Sequence, residues 1–77
     1  MKIYIVQSQG KIRISKPMPF LKYQDITDYL NKRYTDLHCT YSAYGQLRID
    51  NVVEVWRGVR NKITCEIVVY LYNIEES

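Results

Sequence analysis

Few residues in this chain have the chemistry of a nucleophile, a base or a metal ligand. His38 is the single histidine and stands next to Cys39, with Cys65 as the second thiol. A cysteine nucleophile needs a base within reach to generate its thiolate, so the His38–Cys39 pair is the first arrangement to weigh. Neighbouring side chains on an extended segment leave opposite faces, which separates this thiol from this imidazole. We read His38 instead as a helix-end residue facing the last carbonyls. His38, Cys39 and Cys65 supply three donors where a closed zinc site takes four. Asp25 and Asp28 open an amphipathic segment, where capping and the helix dipole account for acids, and Asp36 sits at its exit. Gly10, Gly45 and Gly58 are isolated, so there is no glycine-rich phosphate cradle, and no zinc-ligand spacing appears. These residues imply no catalytic group, no metal and no cofactor.

The basic and aromatic residues form a more suggestive set. Lys11 and Arg13 lie in the first third of the chain, and Arg57, Arg60 and Lys62 cluster near its end. Tyr4, Trp56, Tyr70 and Tyr72 fall at positions that strand alternation can bring to one sheet face. Aromatics on an open sheet bind bases by stacking when cations flank them. Tyr, Trp and Arg also dominate the energetics of protein interfaces. The same residues can serve strand propensity and cross-strand pairing alone. We take Tyr4, Arg13, Trp56, Arg57, Arg60, Lys62, Tyr70 and Tyr72 as the candidate binding residues.

With 77 residues the chain is long enough for one small domain. Its 47% hydrophobic and 25% charged residues are those of a folded protein. The net charge of +3 is unevenly spread. Lys2, Lys11, Arg13, Lys16 and Lys22 precede the first carboxylate, Asp25, and the remainder of the chain is slightly acidic. The N-terminal apolar run is shorter than a signal sequence and no stretch is long enough to span a bilayer. We therefore expect a cytoplasmic protein with both cysteines reduced and no membrane partner.

The elements that must position these residues follow from periodicity. Residues 2–6 and 11–15 alternate around Ile3, Ile5, Ile12 and Ile14 on either side of Gln7-Ser8-Gln9-Gly10, which predicts a hairpin. Residues 16–20, with Pro17 and Pro19, read as a connector. Ile26, Tyr29, Leu30, Tyr34 and Leu37 recur at helical spacing, predicting a helix over 25–35 with Asp25 as N-cap. Residues 39–44 and 46–49 form two short strands or one bent strand around Gly45. Residues 52–57 form a further strand, and residues 57–61 around Gly58 read as a turn. Residues 62–72 are the longest strand, with Ile63, Cys65, Ile67, Val69 and Leu71 on one face. If Val53 and Val55 join that face, Glu54 stays out of the core and Trp56 points to the opposite side. The reverse parity would bury Glu54 without a partner, at a cost of several kcal/mol. The expected fold is α+β: a small antiparallel sheet of four or five strands, ordered ββαβββ along the chain, with one helix on one face. The second face then carries Tyr4, Arg13, Trp56, Tyr70, Tyr72 and Val68, more apolar than a solvated face should be.

A short, motif-poor chain that presents such a surface resembles the small inhibitors of phages and mobile elements, anti-CRISPR proteins among them. The likeness is one of size and character and rests on no diagnostic residue. It implies a non-enzymatic protein-binding module that occludes a surface on a larger host protein or nucleoprotein complex. Small ribonuclease toxins use Arg, Lys and Tyr in place of histidine, but this chain lacks their two-helix opening. The alternative reading is a single-stranded nucleic-acid or RNA-binding protein that uses the basic and aromatic sheet face. Homodimerisation through that face is the third arrangement these residues allow.

Overall fold

A computed structural model describes residues 1–10, 15–43 and 51–74. The elements in chain order are β1 (Lys2–Gln9), β2 (Met18–Phe20), α1 (Tyr23–Arg33), β3 (Thr35–Ser42), β4 (Val52–Arg60) and β5 (Ile63–Asn73). The five strands form one antiparallel sheet in the spatial order β2-β1-β5-β4-β3, with α1 on one face. This is the α+β class and ββαβββ order expected from periodicity. No helix among the described residues is long and apolar enough to cross a membrane.

The helix forms where Ile26 and Leu30, four residues apart, present one apolar stripe, and both are fully buried. It starts at Tyr23, two residues earlier than the spacing suggested. Its N-cap is Lys22, which makes no side-chain cap bond, and Asp25 lies in the first turn instead. Thr27 Oγ1 donates to the Gln24 carbonyl, and Gln24 Nε2 donates to Asp28 Oδ1. The apolar stripe continues past the helix end: Tyr34 is buried at the C-cap, and Leu37 packs on the core from β3.

On the helix side of β5, Ile67, Val69 and Leu71 are buried and Cys65 is half-buried. Ile63, expected there, is 51% exposed because it pairs with Arg60 at the hairpin tip. In β1 the inward residues are Tyr4 and Val6, facing Leu71 and Val69 across the ladder. Ile3 and Ile5, expected in the core, take the opposite face and are half-buried. The second predicted strand falls mostly on residues 11–14, outside the described residues, as do Ile12 and Ile14. Ser15 is bonded to Ser8, backbone N–H to carbonyl at 2.9 Å. The expected connector holds β2, which pairs Phe20 with Tyr4 and Met18 with Val6.

β4 departs most from the expectation. A bulge between Val52 and Glu54 shifts its register on β5. Val53 is fully buried, yet Trp56, of opposite parity, also lies on the helix side opposite Ile67 and packs against the core. The bulge is what lets residues of opposite parity share one face. Val55, expected inside, is turned to the other face opposite Val68 and is half-buried. Gly58 is no turn residue. It lies mid-strand opposite Cys65, where an added Cβ would stand 2.8 Å from Tyr34 Cβ and 3.1 Å from Leu37 Cδ1. The glycine is a notch that lets the helix exit pack onto the sheet. The turn itself is Asn61-Lys62, both with positive φ (52° and 65°), the signature of a type I′ hairpin.

Both sheet edges are obstructed. β2 is three residues long and contains Pro19, which offers no N–H. β3 is interrupted by register shifts between Thr35 and His38 and between Cys39 and Tyr41. Asp36 adopts a positive φ of 52° in the first of these. The Asp36 carbonyl lies 3.1 Å from His38 Nδ1, and the Tyr41 carbonyl accepts the Cys39 thiol at 3.2 Å. Bulges and locally satisfied carbonyls are means by which an edge is kept from pairing with another strand.

Candidate functional site

Cross-strand pairing divides the eight candidate residues. Tyr70 and Tyr72 lie on β5 facing away from the helix, whereas Tyr4 and Trp56 face it. Tyr4 packs on Tyr23 with ring centroids 6.0 Å apart, part of the helix–sheet contact. Arg57 faces away from the helix opposite Glu66, and Arg60 and Lys62 sit at the β4–β5 hairpin tip. Arg13 lies outside the described residues. The single aromatic face expected from alternation is therefore two half-sets on opposite sides of the sheet.

Trp56 owes its place to Glu54. The Glu54 side chain is buried, 5% exposed, on the helix side of the β4 bulge. Trp56 Nε1 donates to Oε1 at 3.0 Å and the Tyr23 hydroxyl donates to Oε2 at 2.7 Å. Each carboxylate oxygen thus has a donor, and the penalty that argued against burying Glu54 does not arise. Trp56 is an internal partner of this carboxylate and is not the exposed anchor predicted for it.

The face away from the helix is graded from apolar to polar along the strands. One end pairs Ile3 with Tyr72 and Ile5 with Tyr70, and Val52 meets Tyr70 from the other side. Tyr70 and Tyr72 stack on one another, centroids 6.4 Å apart and planes 23° from parallel. In the middle Gln7, Val68 and Val55 form a row, with Tyr41 of β3 beside Val55. The far end carries the row Gln9, Glu66, Arg57 and His38. Arg57 and Glu66 form an exposed ion pair at 3.7 Å. A shallow depression beside it is lined by Gln9, Gly10, Arg57, Thr64 and Glu66. Among the described strand residues of this face, Arg57 and Glu66 are charged and offset one another.

Tyr72 is 40% and Tyr41 38% exposed, while Ile3, Ile5, Val55 and Tyr70 are half-buried by their neighbours. Ile3, Ile5, Val55 and Tyr41 were missing from the predicted surface. In β1 the run Ile3-Tyr4-Ile5-Val6 is apolar at every position, so its alternation carries no parity signal. The pairing of Val6 with Val69 is what decides it.

His38 and Cys39 lie on β3 opposite Arg57 and Trp56 respectively, which puts them on opposite faces of the sheet. His38 belongs to this strand and not to a helix end. Cys39 and Cys65 are both free thiols. Among the described residues, no three His, Cys, Asp or Glu side chains converge on a point that could hold a metal ion. No family model, curated protein or solved structure matches the chain.

Proposed function

We propose that the chain is a non-enzymatic protein-binding module whose working surface is the sheet face opposite the helix. It acts by laying that face on an apolar surface of a larger protein and covering it, the mode of the small phage and mobile-element inhibitors. The supporting observation is the apolar end of the face, where Ile3, Ile5, Tyr70 and Tyr72 meet across β1 and β5 with no element of the described chain over them. A contiguous apolar patch that is partly exposed in this way is the kind that marks interaction sites. The short, proline-bearing β2 and the bulged β3 disfavour regular pairing of a further strand at these edges, which favours the face. Tyr70 and Tyr72 anchor the contact and the Arg57–Glu66 end forms its polar rim.

The nucleic-acid reading draws on the Tyr70–Tyr72 stack and on the basic Arg60–Lys62 hairpin at the opposite end of β5. Against it, Arg57, the described cation among the strand residues of this face, is partnered by Glu66 and so less available to phosphates. The test compares tagged wild-type protein with the Tyr72→Glu and Arg60→Ala variants in extract of the source cells. A specific protein retained by wild type and Arg60→Ala but lost by Tyr72→Glu is the expected result. Equal retention by Tyr72→Glu would overturn the assignment of the face. Retention that is removed by nuclease and collapses with rising salt would replace it with the nucleic-acid reading.

A further inference from the structure

We infer that the tip of the β4–β5 hairpin is a second binding site, which holds the phosphates of duplex DNA without reading its sequence. The tip lies at the other end of β5 from the Tyr70–Tyr72 stack, and the inference does not rest on the reading of that face.

The backbone points to it first. A type I′ turn needs positive φ at both central residues, and glycine is the usual second one. Here that position is Lys62, at a φ of 65°. A residue held in a costly conformation, where a glycine would relax the turn, directs attention to what its side chain does.

Charge and exposure point the same way. Arg60, Asn61, Lys62, Ile63 and Thr64 are all exposed, so the tip stands clear of the packed layers. Tyr34 packs over Gly58, which ends the helix two residues short of Arg60 along β4 and brings the exposed Lys32 to this end. Among the described residues, Lys32, Arg60 and Lys62 form no ion pair. The other cations nearby are engaged: Arg57 pairs with Glu66, and Arg33 lies over the Tyr29 ring at 5.1 Å. Asp36 in β3 is the further described carboxylate at this end. Lys32 also suits the negative end of the helix dipole, so Arg60 and Lys62 carry most of the weight.

Shape selects the ligand. A two-stranded ribbon, with strands about 4.8 Å apart, enters the major groove of B-DNA, about 12 Å wide. The major groove of duplex RNA is too deep and narrow for side chains to use. Proteins that grip single strands add exposed aromatic rings to their cations. The aromatics nearest this tip, Tyr34 and Trp56, are instead packed against the core.

Fluorescence anisotropy with a labelled duplex DNA of about 20 base pairs, between about 50 and about 200 mM salt, tests the inference. Wild type should bind with a Kd of about 1–100 µM, and three phosphate contacts should give a log–log salt slope of about −2.7. Lys62→Gly and Arg60→Gln should each reduce that slope by about 1, and the double variant by about 2. Lys62→Gly should bind more weakly while melting higher, which unfolding cannot explain. If it melts lower, Arg60→Gln with unchanged circular dichroism carries the test alone. Tyr72→Glu, at the far end of β5, should bind DNA as wild type does. No binding at the lowest salt overturns the inference, whatever the capture assay for the sheet face returns. Binding that survives the double variant, or is lost in Tyr72→Glu, overturns its placement on the tip. Equal or tighter binding to single-stranded DNA or to duplex RNA overturns the choice of ligand.

Discussion

A buried carboxylate usually signals a cost, and at Glu54 each carboxylate oxygen is met by a neutral donor, one from its own strand and one from the helix. Trp56 comes from the same strand, and Tyr23 from the first turn of the helix, 31 residues away in sequence. The arrangement fastens the helix start to the β4 bulge. Glu54→Ala removes both acceptors and should lower stability by about 2–4 kcal/mol in urea denaturation. Glu54→Gln should cost less than about 1.5 kcal/mol, since the amide accepts from the indole and donates to the phenol oxygen. Equal losses for the two variants would show that the bonds matter less than the space the side chain fills. At this scale the sequence misled in an instructive way. The argument for keeping Trp56 outside rested on Glu54 having no partner, and that partner, Tyr23, is not adjacent to it by any local pattern.

At the scale of the element, periodicity was a sound guide where one face is apolar and the other polar, and silent elsewhere. α1 was legible for that reason, and β5 because its inward residues Cys65, Ile67, Val69 and Leu71 alternate without a break. β1 was legible as a strand but not in its orientation, because all its central residues are apolar. In β4 the bulge broke the period between Val53 and Trp56, so any assignment by strict alternation had to misplace one of them. Gly58 drew a turn by residue type, although its role is to clear room for Tyr34. The real turn hides behind a lysine. Lys62 holds a φ of 65°, a region costly for any residue with a Cβ. Lys62→Gly should therefore raise stability by about 0.5–1 kcal/mol, a few degrees in thermal midpoint. A lowered midpoint would mean that the lysine side chain contributes more than its backbone costs.

At the scale of the whole molecule, one short helix on one sheet face must supply most of the core. Leu30 is fully buried at the centre of that contact. Leu30→Ala should cost about 2–5 kcal/mol, a large share of what a domain this size has, and calorimetry should show a markedly lower midpoint. An unchanged midpoint would contradict the helix placement. The α+β class and the ββαβββ order were readable because they depend on periods and turn residues. Which strand lies beside which was not, because the order β2-β1-β5-β4-β3 is set by contacts between the two ends of the chain.

That order has a consequence in time. β5 is the last of the five strands to be synthesised, and it takes the central position. The pairs β1–β2 and β3–β4 flank it and share no ladder with each other. Until β5 is free to insert, the nascent chain holds two separate strand pairs and a helix whose apolar stripe has no finished floor. Its most distant pairings join Lys2 to Asn73, and closing loops of that length delays the rewarding contacts to the final step. The protein is thus assembled all at once, after translation of its last strand, and for that interval the residues that later build its core remain open to chaperones.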